Sequence, residues 1–141
     1  MLSLSDASKM IEAAFTKALE LKLNPIVVAV FNAGGTLIAY QAQDGASSGR
    51  FAVAGGKARG ALAVGTGSRW LNAQAAERPH FLAGLGTVIE GGIVPVPGGV
   101  VGRGENGQII AVVGISGDTS DNDEACAIAG IEACGLSAET G

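Results

Sequence analysis

No apolar run in the 141 residues approaches the roughly 20 that a membrane-crossing helix needs. The longest, such as Ile26–Phe31, are strand-sized, so no membrane partner is expected. Positive charge is scarce too. Nine Lys and Arg stand against thirteen Asp and Glu, a net charge of −4, which argues against nucleic acid or an acidic membrane surface as partner. The opening "MLSLSDASKMIEAAF" carries no basic leader followed by an apolar block, so a cytoplasmic setting is expected. Histidine occurs once, as His80, and no Cys/His cluster shows metal-ligand spacing, so no metal site is expected. The two cysteines, Cys126 and Cys134, fall in one helical pattern. At about 1.5 Å per residue they stand about 12 Å apart, too far for a disulfide, and they read as small buried hydrophobes. No Ser-His-Asp set, paired carboxylates or activated cysteine can be singled out.

Glycine, in contrast, is abundant. The chain has 23, against an ordinary usage of roughly 7%. They separate well-formed apolar segments instead of forming low-complexity filler, so tight turns or close backbone contacts are expected. Hydrophobic residues make up 48% and charged residues 16%. For one domain spanning 1–141 that is an apolar composition, and it implies that some surface goes into contacts between subunits.

The pattern along the chain defines the elements. Ser3 or Ser5, with Asp6 in the first turn, starts a helix whose inner stripe is Ile11, Ala14, Phe15, Ala18 and Leu19, and Asn24-Pro25 ends it. Residues 26–42 read as a hairpin turning at Asn32–Gly35. Residues 50–64 look helical, yet carry Gly55, Gly56 and Gly60, each costing about 1 kcal/mol relative to alanine. That face should lie against another backbone, a subunit or a flat ligand. Ser68 caps a short helix through Ala76, and no pattern defines the stretch up to Glu90. A second hairpin covers 93–116, turning at Gly104–Gly107, with Pro95 and Pro97 suited to an edge or a bulge. A last helix covers about 120–134 and stops at Gly135. Hairpins rather than βαβ units predict an antiparallel sheet with helices packed on it, an α+β class of the α/β kind.

The most conspicuous stretch is "GISGDTSDNDEACAIAG" at 114–130. Its acids would repel a phosphate, and no GK[ST] follows. Counted as a calcium loop from Asp118, it has Asp123 where a glycine belongs and Ala129 where a glutamate belongs. The reading that remains is a helix start, with Ser120 or Asp121 as cap and the other acids facing the positive end of the helix dipole. Glu124 is the carboxylate of this group placed to reach a ligand or a neighbouring subunit as well.

"DGA" at 44–46, "KARGA" at 57–61, "VPVPGGV" at 94–100 and the 114–130 block, in that order, resemble the GlcG/HbpS-like haem-binding and haem-degrading family, which includes the C-terminal domain of PduO proteins. The resemblance spans nearly the whole chain. It implies a profilin-like antiparallel sheet flanked by helices, assembly from dimer to octamer, and haem or a related tetrapyrrole as ligand. The chain departs from the family pattern after Gly98-Gly99, where Val100-Val101-Gly102 follows. Haem coordination in the family involves histidine, and His80 lies outside the matched motifs.

Lys57 matches the family's helix lysine and stands beside Gly56 and Gly60, where a planar or acidic ligand finds close approach and a counter-charge; the alternative is a solvated helix lysine. Pro97, Gly98 and Gly99 either floor a pocket or form a plain bulge. Arg50 and Arg78 are further anion donors, or surface ion-pair partners. His80 is an iron ligand or acid–base group, or a structural histidine. Three functions are set against one another. The first is a small-ligand-binding homo-oligomer holding haem, another tetrapyrrole or an aromatic acid between the 50–64 helix and the second hairpin. The second is an enzyme of isomerase, hydrolase or deaminase type, with Lys57 as base or Schiff-base amine and an acid from 118–124 as its partner. The third is a structural protein whose glycines serve assembly.

Overall fold

Ser3 opens helix α1 (Leu4–Glu20) by accepting a hydrogen bond from the Asp6 N–H in the computed structural model, which describes residues 1–141. Ala7, Met10, Ile11, Ala14 and Ala18 form its buried face, while Leu19, expected on that stripe, is exposed. The helix ends at Glu20, short of the expected Asn24-Pro25 boundary. Lys22 adopts a left-handed conformation at φ 55°, and the N–H groups of 21–23 turn back onto carbonyls of 17–19.

Strands β1 (Val27–Asn32) and β2 (Leu37–Ala42) form the first hairpin. The Asn32 carboxamide oxygen accepts from the N–H groups of Gly34 and Thr36, which fixes the turn. Helix α2 (Arg50–Val64) has the expected bounds. In α3 (Ser68–Glu77) the cap position belongs to Gly67; the Ser68 hydroxyl is buried and serves elsewhere. Helix α4 (Pro79–Val88) occupies the stretch without a readable pattern and starts on a proline, which suits a first turn. Strands β3 (Gly99–Arg103) and β4 (Ile109–Ser116) are the second hairpin. Pro95 and Pro97 precede β3 and lie in no ladder, so they are neither edge-strand nor bulge residues. The register shift falls between Gly102 and Arg103. Helix α5 (Ser120–Ala133) is followed by Gly135 at φ 74°, then by a short strand β5 (Ser137–Glu139) that the pattern did not announce.

The five strands form one antiparallel sheet in the order β2-β1-β4-β3-β5. Val28, Val30, Val100, Val113 and Ile115 face α1 and α5, packing with Met10, Ile11, Cys126 and Ile131. The alternate residues Ala29, Phe31, Val101 and Val112 face α2 at Ala58 and Ala61. Helices thus cover both faces of the central strands, and β1 and β4 are accordingly apolar throughout instead of alternating. This is the α+β, profilin-like arrangement that the element order and the resemblance predict. On the first face, a Cβ at Gly130 would stand 2.6 Å from the Met10 carbonyl oxygen, so α5 and α1 cross in backbone contact.

Candidate functional site

The glycine-bearing helix and the second hairpin do meet, but the space between them is filled. Gly99 of β3 and Gly114 of β4 are register partners, and each presents bare backbone to α2. A Cβ on Gly99 would overlap the Lys57 carbonyl, and one on Gly114 the Ala54 carbonyl. Elsewhere on α2, a Cβ on Gly56 would come 2.6 Å from Val94 and one on Gly60 2.8 Å from Leu71. The helix is clamped between the sheet and the chain around residues 93–94. Gly56, Gly60 and Gly99 therefore admit the protein's own side chains and backbone, not a flat guest, which corrects the expected cavity. Pro97 and Gly98, the latter at φ 121°, bend over the Lys57 amine, and a Cβ on Gly98 would sit 2.8 Å from it.

Lys57 is only 2% exposed. Its Nζ donates to Asp123 Oδ2 at 3.0 Å and to the Ile115 carbonyl at 2.9 Å. Asp123, 1% exposed, also accepts the Asp118 N–H at 3.0 Å. Burial pushes the Asp123 carboxyl above its ordinary range, and the Lys57 charge and these hydrogen bonds pull against that. Lys57 is thus neither a solvated helix lysine nor a free counter-charge. Its amine, enclosed under Gly98 and already paired, is not open to a carbonyl substrate, which removes the Schiff-base role.

The acids of 118–124 divide their work. Thr119, rather than Ser120 or Asp121, caps α5 by accepting the Asn122 N–H. Asp118 accepts from the Asn122 amide and from the N–H groups of Thr119 and Asn24, which holds its carboxyl below the usual range. Glu124, expected to reach a ligand or a subunit, instead takes a two-point hydrogen bond from Arg69 of α3, which Asp121 shares. Sequence reasoning did not single out Arg69, because nothing local to it announces a partner 55 positions away. It also missed the Ser68 hydroxyl, which donates to the Val96 carbonyl and accepts the Gly99 N–H, pinning the Pro97 bend.

The other expected residues reach the surface, Arg50 half-buried and Arg78 and His80 exposed. Arg50, at the start of α2, donates to Ser116 Oγ at 3.2 Å and borders a polar hollow of about 250 Å³ with Asn24, Ser47 and Gly117. Arg78 donates to Gln74, and its guanidinium lies 4.6 Å from the Phe81 ring centroid. Phe81 in turn meets Trp70 edge-to-face at 6.3 Å. His80, in the first turn of α4, is exposed, and its imidazole makes no hydrogen bond within the chain. A second hollow of about 220 Å³ lies by the first hairpin turn, between Leu2, Ala33 and Ile110.

Residues 2–132 match the family described as haem degrading protein HbpS-like. The chain belongs to the HbpS-like family. No curated protein matches it closely enough to count as a relative. Among solved structures, a PduOC:heme complex is 29% identical with a TM-score of 0.84, over 96% of each chain. The protein ORFY of Klebsiella pneumoniae is 26% identical with a TM-score of 0.82, over 95% of this chain and 90% of that one. HbpS of Streptomyces reticuli, carrying two Glu-to-Asp substitutions, is 26% identical with a TM-score of 0.79, over 93% of this chain and 85% of that one.

In this HbpS-like chain, Arg50, Arg78 and His80 are the expected site side chains that packing does not enclose. The thiols are withdrawn from chemistry. Burial pushes Cys126 up to about 11 and raises Cys134, so neither offers a ready thiolate. No helix is long and apolar enough to cross a membrane.

Proposed function

We propose that this protein binds haem at the exposed α3–α4 face, with the His80 imidazole as the ligand to iron, and acts as a cytoplasmic homo-oligomer. The observation that carries the reading is the pairing of HbpS-like membership with a single exposed imidazole that has no partner of its own. The donor set fits the group. A neutral imidazole is a common ligand for iron, and the half-exposed Trp70 and Phe81 rings, set edge-to-face at 78°, supply apolar surface beside it. A heme complex of a 29% identical neighbour supports the same ligand class. Haem, when bound, would supply an iron centre capable of redox change; His80 would hold the iron, and Trp70 and Phe81 would provide apolar contact beside it. Lys57 and the Pro97 bend act at a distance, by fixing the sheet and α2 in one packing.

The test is a hemin titration of the purified protein, followed in the Soret band. A saturable shift near one haem per chain is expected, with the shift lost or altered in His80→Ala and retained in Arg50→Ala. An unchanged hemin spectrum at micromolar protein removes haem as the ligand. A band that survives His80→Ala unaltered removes this site.

A further inference from the structure

Most arginines of this fold end on several partners. Arg69 and Arg103 meet carboxylates, and Arg59 clasps the carbonyls of Gly91 and Gly92. Arg78 has Gln74 and the Phe81 ring. Arg50 is the exception. It is half-buried, and its guanidinium makes one bond, to the neutral Ser116 hydroxyl at 3.2 Å. It forms no ion pair in the chain, although Asp44 stands six positions earlier, in the loop that leads to it. A cation partly withdrawn from water loses hydration that one hydroxyl does not replace, so the position favours an anion from outside the chain.

The space beside it is a built one. Arg50 borders the polar hollow of about 250 Å³ whose other walls are Asn24-Pro25, the 45–47 loop and Gly117. Long-range bonds hold those walls. The Gln43 carboxamide oxygen accepts the Ile26 N–H, and the Gln43 N–H donates to the Ile26 carbonyl. Asp118 accepts the Asn24 N–H. Gly117 lies so close to the 25–26 backbone that a Cβ there would overlap the Pro25 carbonyl. The concavity is therefore formed before anything enters it, which spares a ligand the cost of ordering a loop.

Charge and size set the class of occupant. Arg50 is the one charged residue of the lining, and the first turn of α2 holds no acid. Asp44 and Asp118 adjoin Gly45 and Gly117 but lie outside the lining, and Asp118 is committed to Asn122, Thr119 and Asn24. One cation balances one negative charge. A dianion would carry a second, unbalanced charge between those two acids. A guanidinium presents a planar fork, and one donor spent on Ser116 leaves a pair to match the two oxygens of a carboxylate. At about 250 Å³ the hollow is smaller than the roughly 300–1,000 Å³ of pockets for drug-sized ligands, so a body of a few carbons fits and a tetrapyrrole does not. We propose that this hollow binds a small organic monocarboxylate, held by the Arg50 fork, at a site separate from the α3–α4 face.

The experiment is an amide NMR titration of isotope-labelled, haem-free protein with sodium acetate and with sodium propionate, so its outcome is independent of the haem reading. Chloride keeps the ionic strength constant. Saturable shifts are expected at Gly45, Ser47, Gly49 and Gly117, half-complete at roughly 1–10 mM, as suits one charge-paired fork. Arg50→Gln weakens binding by about tenfold or more. Ser47→Glu sets a carboxylate of the chain's own on the rim and weakens acetate by a similar factor. Ser47 is exposed, so that variant leaves the packing alone and the test stands even where Arg50→Gln disturbs α2. Inorganic phosphate, as its dianion, binds no tighter than acetate. The proposal is overturned by the absence of saturable shifts with both carboxylates, by shifts that survive either substitution undiminished, or by phosphate binding more tightly than acetate.

Discussion

Lys57 shows how a residue's chemistry depends on what surrounds it. The motif around it marked it out from sequence, and an acid of 118–124 was named there as its partner in an enzyme. The depth of burial was not legible, because it depends on Gly99 and Gly114 becoming register partners in strands that lie far along the chain. Removing one member of a buried pair leaves the other charged and unpaired. Lys57→Met is therefore expected to lose about 3–5 kcal/mol of stability in urea unfolding, and the double variant Lys57→Met/Asp123→Leu to recover much of it. A single variant no less stable than wild type would mean that the pair contributes nothing. His80 shows the reverse case. The sequence counts it as the lone imidazole, but only the fold reveals that it stands exposed and unbonded.

At the scale of elements, the hairpins, α2 and the helix that follows the acids were readable, since period and turn residues agree over each. α4 was not, because its apolar residues follow no single period and its two glycines weaken the pattern; Pro79 was the one available signal. β5 was not either, being three residues held by β3 and by side-chain ties. Its Glu139 accepts from Thr66 Oγ1, the Gly67 N–H and Arg103. Burial pushes that carboxyl up, but these hydrogen bonds and the arginine charge outweigh it and hold the carboxyl below its usual range. A depressed carboxyl stabilises the fold above its unfolded value, about 4.3, and that contribution fades as pH falls through the folded value. The melting-temperature gap between wild type and Glu139→Gln should accordingly hold steady near neutrality and narrow below about pH 4. A gap independent of pH would deny the tie. The glycines divide by element in the same way. Gly114→Ala drives a methyl into the Ala54 carbonyl and should lose about 1–3 kcal/mol or more. Gly84→Ala, in open space, should add up to about 1 kcal/mol to a dilute single chain, both read by urea unfolding.

For the molecule as a whole, sheet type, order of elements and family were legible, whereas the absence of an internal cavity was not. An excess of glycine reads equally as room for a ligand or as room for backbone, and only packing decides between them. The sheet separates two helical layers, α2 on one side and α1 with α5 on the other. At the end of β4 the Lys57 amine reaches from the first layer to Asp123 in the second, touching the strand's own carbonyl on the way. A rivet at one corner of a three-ply board stops the outer plies from sliding past each other. Force applied to either ply therefore has a direct path to the other through the ammonium group, beside the packing of each ply on the strands.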